Sequence, residues 1–444
     1  MKALVIGAGG VGSAIANIAS RRPFITSMVV ADRSLSRAQA AVTKVNDPRF
    51  SAQEVDASDV NDIRALIRKA APDIVVNAVD PRFVMPIFLA CEEEKVNYMD
   101  MAMSLSKPHP TDPFNTPGVK LGDEQFARDK NWNDAGIYAV VGMGIEPGMS
   151  DVFARYAQDE LFSRIDYLAV MDGSNLTVDG FDFAPSFSIW TTIEECLNPP
   201  LIFEEGRGWY TTEPFSELEV FDFPEGIGPV ECVNVEHEEV IQLPRSMKAD
   251  VITFKYALGA DFIETLQLLH RLGLDGKDPI NVKGIKVAPR DVIAALSPDP
   301  STLGKSMIGR AIVGTLVSGT KDGRPRETFH YQVCDAAETM GRYNLQPVAW
   351  QTGVMPVMAM ELIAEGVWGG AGVKSPDMMD PDPFLDICED YDVTVKLEHR
   401  LPGRSILPAT EQPPIGAKSV TVKGSSSPTD TAYSAAATAA LSAP

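Results

Sequence analysis

Basic residues are scarce here: 39 Lys and Arg stand against 61 Asp and Glu, a formal net charge of −22. A polyanion of this kind is repelled by phosphate backbones and by anionic membrane surfaces, so neither nucleic acid nor membrane is expected as a partner. Cysteine is scarce as well. Cys91, Cys196, Cys232, Cys334 and Cys388 are scattered without a CxxC pair, which argues against a zinc ribbon or a disulfide framework and fits a reducing cytoplasm. No apolar run approaches the ~18 residues that span a bilayer. Met1-Lys2 leads into the short run Ala3–Ile6 and then glycines, which is not a signal-peptide pattern. The five histidines sit in no telling motif, and His109 and His399 read as solvated loop residues. The expectation is a soluble cytoplasmic protein with no metal site.

What is present suits a soluble globular protein. The 444 residues, 45% hydrophobic and 23% charged, are enough for two or three domains. Over the first hundred residues, short β-branched runs (Ala3–Ile6, Met28–Ala31, Phe50–Val55, Ile74–Val76) alternate with amphipathic segments (Ser13–Ala19, Ser36–Lys44, Asp59–Ala70). That alternation predicts an α/β fold with an N-terminal Rossmann domain, a doubly wound parallel sheet. A proline-rich loop, Pro108–Pro117, precedes an expected helix at Asp123–Ala135 and a strand at Ile137–Val141. The glycine-rich phrase Gly142–Gly148 is a natural exit from the domain. Further on, Tyr167–Met171, Val230–Val235 and Ile312–Ser318 read as strands and Phe262–Leu272 as a helix, which predicts a second, α+β substrate domain, the one to which the family resemblance given below also assigns dimerisation. The boundaries expected are 1–145 for the Rossmann domain, with a return helix near 351–366, and 146–345 for the substrate domain. A segment, 367–406, should pack on the Rossmann domain. The last stretch, 407–444, is rich in Ser, Thr, Ala and Gly near its end and reads as a disordered tail.

Gly7-Ala8-Gly9-Gly10-Val11-Gly12 follows the first strand and opens the first helix. Gly7 permits the tight turn, Gly9 lets backbone approach a pyrophosphate, and Gly12 lets helix and strand pack closely; Gly10 and Val11 begin the helix whose free N–H groups favour phosphate. Asp32 ends the second strand 20 residues after Gly12, where a carboxylate can accept hydrogen bonds from the ribose hydroxyls. That favours NAD, while the neighbouring Arg33 leaves NADP open, since a guanidinium can meet a 2′-phosphate. Asp56-Ala57 and Asn77-Ala78-Val79 follow the third and fourth strands, on the sheet edge where α/β proteins hold ligands. Tyr98-Met99-Asp100 falls where a fifth strand should end, which makes Asp100 and Tyr98 candidates for moving a proton or orienting an amine.

Several of these phrases are similar to those of the saccharopine dehydrogenase family, which takes in lysine 6-dehydrogenases and carboxynorspermidine dehydrogenases. The resemblance runs over roughly residues 1–400. It rests on the glycine motif, on Tyr98-Met99-Asp100, and on Gly144-Ile145-Glu146-Pro147-Gly148, with Glu146 in place of the family's aspartate. It rests also on Phe187-Ser188-Ile189-Trp190-Thr191, on Thr253-Phe254-Lys255-Tyr256 ahead of Leu272-Gly273-Leu274, with Lys255 where arginine is usual, and on Gln351-Thr352-Gly353. The resemblance implies a homodimeric NAD(P)-dependent oxidoreductase acting on a C–N bond of a small amine or amino-acid derivative, with saccharopine, lysine or carboxynorspermidine as candidate substrates. On the substrate side it implies Glu146, Pro147, Gly148, Met149, Trp190, Thr191 and Lys255. A reading from another class is a Rossmann protein that senses NAD(H) without turnover.

Overall fold

The computed structural model describes residues 1–181 and 183–403, with the backbone of 406–408. Its first sheet contains β1 (Lys2–Ile6), β2 (Ser27–Asp32), β3 (Phe50–Glu54), β4 (Ile74–Asn77), β5 (Asn97–Asp100) and β6 (Tyr138–Val140). The order is Gly372–Lys374, β6, β5, β4, β1, β2, β3, with every pair parallel. Leu4, Val5 and Ile6 are all fully buried. Such continuous apolar runs, rather than alternating ones, are what a parallel sheet covered on both faces requires.

Helix α1 (Gly10–Ala19) lies on one face against the return helix Pro347–Ala364. Ala16, Ile15, Val354 and Met358 share one core there, whereas Ile63, Ile87 and Phe88 close the other face over Leu4 and Ile6. The two helices approach closely because Gly353 has no side chain: a Cβ there would sit 2.6 Å from the Ala14 Cβ and 3.3 Å from the Ile15 amide nitrogen. The return helix begins one turn earlier than its apolar residues suggest, with Gln346 accepting a hydrogen bond from the Val348 amide as the cap.

The second sheet is mixed. Its path runs Val395–Arg400, Arg324–Asp335, Arg310–Lys321, β7 (Arg164–Ser174), Val251–Tyr256, Gly228–Asn234, Glu219–Phe223 and Ile406–Pro408. Only β7 and Val251–Tyr256 run parallel. A helix–hairpin–helix lobe projects from it: Ala260–Arg271, the strands Ile280–Val282 and Ile285–Val287, and Pro289–Leu296.

Three expectations need correction. The helix expected over 123–135 is two short ones, Asp123–Phe126 and Asp129–Ala135, separated by a turn. The 367–406 segment does not stay with the Rossmann domain: Gly372–Lys374 extends the first sheet, but Val395–Arg400 pairs with Arg324–Asp335 in the second. Leu407 and Pro408, assigned to the tail, pair with Val220 and Glu219; the tail from residue 409 onward lies outside the described residues.

The α1 contact predicts that Gly353→Ala forces the two helices apart, at a cost of about 1–3 kcal/mol for overpacking. A lowered chemical-denaturation midpoint checks it.

Candidate active site

The order of strands in the first, all-parallel sheet reverses between β1 and β4, the place where open α/β sheets bind ligands. A cavity of about 330 Å³ opens there, with Gly10 and Val11 after β1 and Asn77, Ala78 and Val79 after β4 in its wall. Its opposite wall comes from the second domain.

The glycine turn is built for close approach. Gly7 has φ 110°, and a Cβ on it would meet the Ala78 carbonyl oxygen at 2.4 Å. A Cβ on Gly12 would lie 1.9 Å from the Gly7 carbonyl oxygen, while the Gly9 position faces open space. Helix α1 carries no acid in its first turn, so its N-terminal amides and dipole are free for an anion. Asp32 ends β2 with Oδ2 accepting from the Ala8 amide and Oδ1 from the Ser34 amide, both at 2.9 Å. It therefore pins the glycine turn as well as presenting its charge beyond β2. Arg33 is exposed beside it. Asp56 accepts from the Ser58 amide and hydroxyl; neither it nor Ala57 lines the cavity. The turn, the free helix end and the carboxylate fit a dinucleotide.

Tyr98 and Asp100 are corrected by the structure. Both are fully buried and neither is in the cavity wall. Asn77 donates to the Tyr98 hydroxyl at 2.9 Å, which donates to Asp100 Oδ2 at 2.8 Å. Gln125 donates to the same oxygen, and the Gly142 amide donates to Oδ1 at 2.7 Å. Asp100 thus ties β5 to the turn after β6, and burial pushes its carboxyl up to about 7. That turn folds on itself, a Cβ on Gly148 falling 2.1 Å from the Gly144 carbonyl oxygen. Glu146 and Pro147 reach the cavity, whereas Gly148 caps the next helix and Met149 is core.

Two more substrate-side residues point elsewhere. Lys255 is buried on the far face of its strand, 2.8 Å from Glu219; with the alternation of a strand, its neighbour Tyr256 faces the cavity instead. Trp190 lies behind the wall, its ring between the guanidinium groups of Arg82 (4.5 Å) and Arg290 (4.8 Å). Thr191, one residue on, lines the cavity with Ser188, Thr192 and Glu195.

The sequence reading missed the most charged part of the wall. Asp80, Glu146, Asp172, Glu195, Glu238 and Asp299 line the cavity, and among the described residues no Lys or Arg does. Burial pushes Asp172 up to about 7 and Glu195 to about 8, and it raises Glu146 well above the usual carboxyl range. Among them lies His237. Burial disfavours its charge, but Glu239, Glu238 and Glu195 outweigh this and hold its pKa well above the ordinary value. Its Nδ1 is 2.5 Å from Glu239 Oε2, and the Ser150 hydroxyl donates to Glu239 Oε1 at 2.8 Å. The ring stacks on Phe254 at 3.7 Å. The available signal was the run Glu236-His237-Glu238-Glu239 directly after an apolar strand, four titratable side chains where a strand enters the interior.

The geometry defines a Rossmann-type, NAD(P)-binding oxidoreductase whose second domain closes an acidic chamber over the cofactor crevice. The family models for the saccharopine dehydrogenase NADP binding domain and the saccharopine dehydrogenase C-terminal domain match residues 3–140 and 144–393; the chain belongs to the saccharopine dehydrogenase family. It is 30% identical over 420 residues to carboxynorspermidine synthase of Vibrio alginolyticus, covering 92% of this chain and 99% of that protein. It is 28% identical over 387 residues to carboxyaminopropylagmatine dehydrogenase of Synechocystis sp., covering 86% and 94%. Two solved structures share the fold at 14% identity. Saccharopine dehydrogenase (L-Glu forming) of Saccharomyces cerevisiae has a TM-score of 0.66, over 90% of this chain and 100% of that one. Homospermidine synthase of Legionella pneumophila, in complex with NAD, has a TM-score of 0.64 over 95% of each. The protein is an NAD(P)-dependent oxidoreductase of amine derivatives.

Two outcomes follow. Replacing the charge at the end of β2 by Asp32→Ser raises affinity for NADPH relative to NADH about tenfold, ~1.4 kcal/mol, read by fluorescence titration of each cofactor. Asp100 keeps a proton in the folded chain that the unfolded chain loses near its ordinary 3.8, so its contribution to stability falls as pH rises from about 4 to about 7. Asp100→Asn flattens the pH dependence of the denaturation midpoint over that range while turnover is retained.

Proposed function

We propose that the chain reduces the C=N bond of an imine between a polyamine and a carboxylated carbon fragment, giving a carboxyalkyl polyamine. The observation that carries this is the cavity wall, which among the described residues has six carboxylates and no Lys or Arg. Asp80 is compensated by Arg82 at 2.8 Å, which leaves five acids facing the space. A chamber of that sign suits several ammonium groups and disfavours a substrate with many carboxylates, such as saccharopine. The hydroxyls of Ser174, Ser186, Ser188, Thr191 and Tyr256 line the same space and can donate to a single carboxylate, whereas that of Ser301 already donates to Asp299. The names of the two relatives, one a norspermidine and the other an agmatine derivative, agree with an amine of this kind. A non-catalytic NAD(H) sensor would have no use for the chamber.

Gly7, Gly9, Gly10, Val11 and Gly12 would hold the pyrophosphate, Asp32 the adenosine ribose, and Asn77, Ala78 and Val79 the nicotinamide end. When bound, the reduced nicotinamide supplies two electrons and a hydrogen as hydride to the imine carbon. The carboxylates of Glu146, Asp172, Glu195 and Glu238 favour the protonated, iminium form of the C=N bond, the form that accepts hydride. The C=N π pair then becomes the lone pair of a secondary amine, which takes up a proton. His237 is positioned to donate it: Nδ1 is held by Glu239, so Nε2 is the ring nitrogen left for substrate. Acids whose pKa is raised by burial give up protons as ammonium groups arrive. The protein works in the cytoplasm as a homodimer on small molecules, a reading supported by five free, buried cysteines and by the family resemblance. Among the described residues no helix is long and apolar enough to cross a membrane.

The test is steady-state kinetics with reduced cofactor and a panel of diamines and triamines, each with an amino-acid semialdehyde. Turnover only with saccharopine or lysine sinks the reading. Asp172→Asn is expected to raise KM for the polyamine about tenfold, the loss of one charge-assisted hydrogen bond, with cofactor affinity unchanged. Because Glu239 raises the pKa of His237, Glu239→Gln lowers it, and the limb where activity falls with rising pH moves to lower pH.

A further inference from the structure

Two acids stand side by side in the helix Ile189–Leu197, and the fold treats them differently. Glu194 is outside the cavity wall and fully engaged: Lys277 donates to it at 2.7 Å, the buried Arg290 guanidinium forms a tight ion pair with it, and Asn198 donates at 3.2 Å. Glu195 lines the cavity, and among the described residues nothing hydrogen-bonds to its carboxyl group. One turn earlier, Thr191 lines the same cavity while only 9% exposed, and among the described residues its hydroxyl has no partner. Residues four apart share a face of a helix, with Cβ atoms about 5–6 Å from each other.

The helix also starts at the cavity. Ser186, Phe187 and Ser188, which lead into it, are in the wall. Its first turn carries no acid, so the positive end of its dipole meets no charge of its own. The Ser188 Oγ accepts from the Thr191 amide at a long 3.4 Å, and the Thr192 amide donates to the Ser188 carbonyl. The amides of Ile189 and Trp190 come before that bond and are left over for an anion. With no Lys or Arg in the wall among the described residues, and with His237 already matched by Glu239, a carboxylate is drawn to this end of the helix. Lys255 is turned away to Glu219.

We propose that this helix reads the head of the carbon fragment: Thr191, the Ser188 hydroxyl and the leading amides take its carboxylate, and Glu195 takes an ammonium on the carbon that bears it. The inference rests on the imine-reduction reading above and adds the class of fragment, an α-amino acid rather than a plain oxo acid, with the residues that select it. The spacing suits such a head. Its two charged groups share one carbon, and charge-assisted hydrogen bonds of about 2.7–2.9 Å on either side reach side chains one turn apart. The reverse placement sets carboxylate against carboxylate. Glu146, Asp172 and Glu238 are then left for the ammonium groups of the polyamine. A polar group in a cavity wall is costly until a ligand or water completes it, and here two of opposite character are held within one turn.

Calorimetry on the full chain saturated with oxidised cofactor tests the proposal with three small ligands. 2,4-Diaminobutyrate carries the whole head, 4-aminobutyrate lacks the ammonium beside the carboxylate, and 1,3-diaminopropane lacks the carboxylate. Thr191→Val is expected to weaken both carboxylate ligands about tenfold, the loss of one hydrogen bond to a charged group, and to leave 1,3-diaminopropane unchanged. Glu195→Gln is expected to weaken 2,4-diaminobutyrate about tenfold and to spare 4-aminobutyrate. Either variant binding 2,4-diaminobutyrate as the unmodified chain does overturns the assignment, and so does a Thr191→Val loss spread equally over all three ligands. Should a variant misfold, the unmodified chain decides: 2,4-diaminobutyrate bound more tightly than 4-aminobutyrate supports the proposal, and equal affinities refute it. These readouts need no turnover. The expected pattern without turnover of any polyamine sinks the imine reading and upholds this helix as the reader of the head, whereas polyamine turnover without the pattern sinks the helix alone.

Discussion

Carboxylates crowded into one partly buried chamber repel each other, and the rest of the structure is arranged around holding them there. Glu146, Asp172, Glu195 and Glu238 come from four separate segments of the chain and converge on His237. Burial keeps several of them protonated near neutrality, and the imidazolium offsets part of the remaining charge. Neither device removes the cost of desolvating acids. It is borne by the large cores on either side: the sheet of β7 and its neighbours, and the helices that close over the glycine turn. Six acids with no Lys or Arg beside them, among the described residues, favour cationic groups over several carboxylates in that space.

The scaffold positions that chemistry through backbone rather than through the side chains facing it. Gly7 and Gly12 let β1 and α1 close on Ala78, which fixes the backbone edge that a dinucleotide would approach. Asp100 and Tyr98 act one layer below the chamber. By accepting from Gly142 and Gln125, Asp100 sets the start of the turn that delivers Glu146 and Pro147. Trp190 plays a comparable part on the other wall, where two guanidinium groups clasp its ring and hold the helix carrying Thr191 and Glu195.

What could be read from sequence divides along the same line. The glycine turn, Asp32, the strand ends at Asn77 and the turn at Glu146 are local patterns, and local patterns survive translation into space. Lys255 was misplaced because a one-residue step along a strand changes the face: the family phrase marks the right strand, but Tyr256 is the residue that faces the chamber. Tyr98 and Asp100 were correctly put at a strand end, yet burial of that end depends on Gln125 and Gly142, distant in sequence. Asp172, Glu195 and His237 had no spacing to betray them, since three separate elements bring them together. Only the run from Glu236 to Glu239 is visible in the sequence, and a short charge run by itself marks a solvated face as readily as a buried site.

The return of the chain to its first sheet has a consequence for synthesis. The strand Gly372–Lys374 pairs with β6, and the helix Pro347–Ala364 covers α1, so the nucleotide-binding half remains unfinished until the ribosome has made some two hundred residues beyond β6. At about 5–20 residues per second, that interval is on the order of tens of seconds. Throughout it the edge of β6 and the apolar flank of α1 are bare. A nascent chain in that condition is a natural client for a holdase chaperone, and the dependence falls on the half of the molecule that is made first.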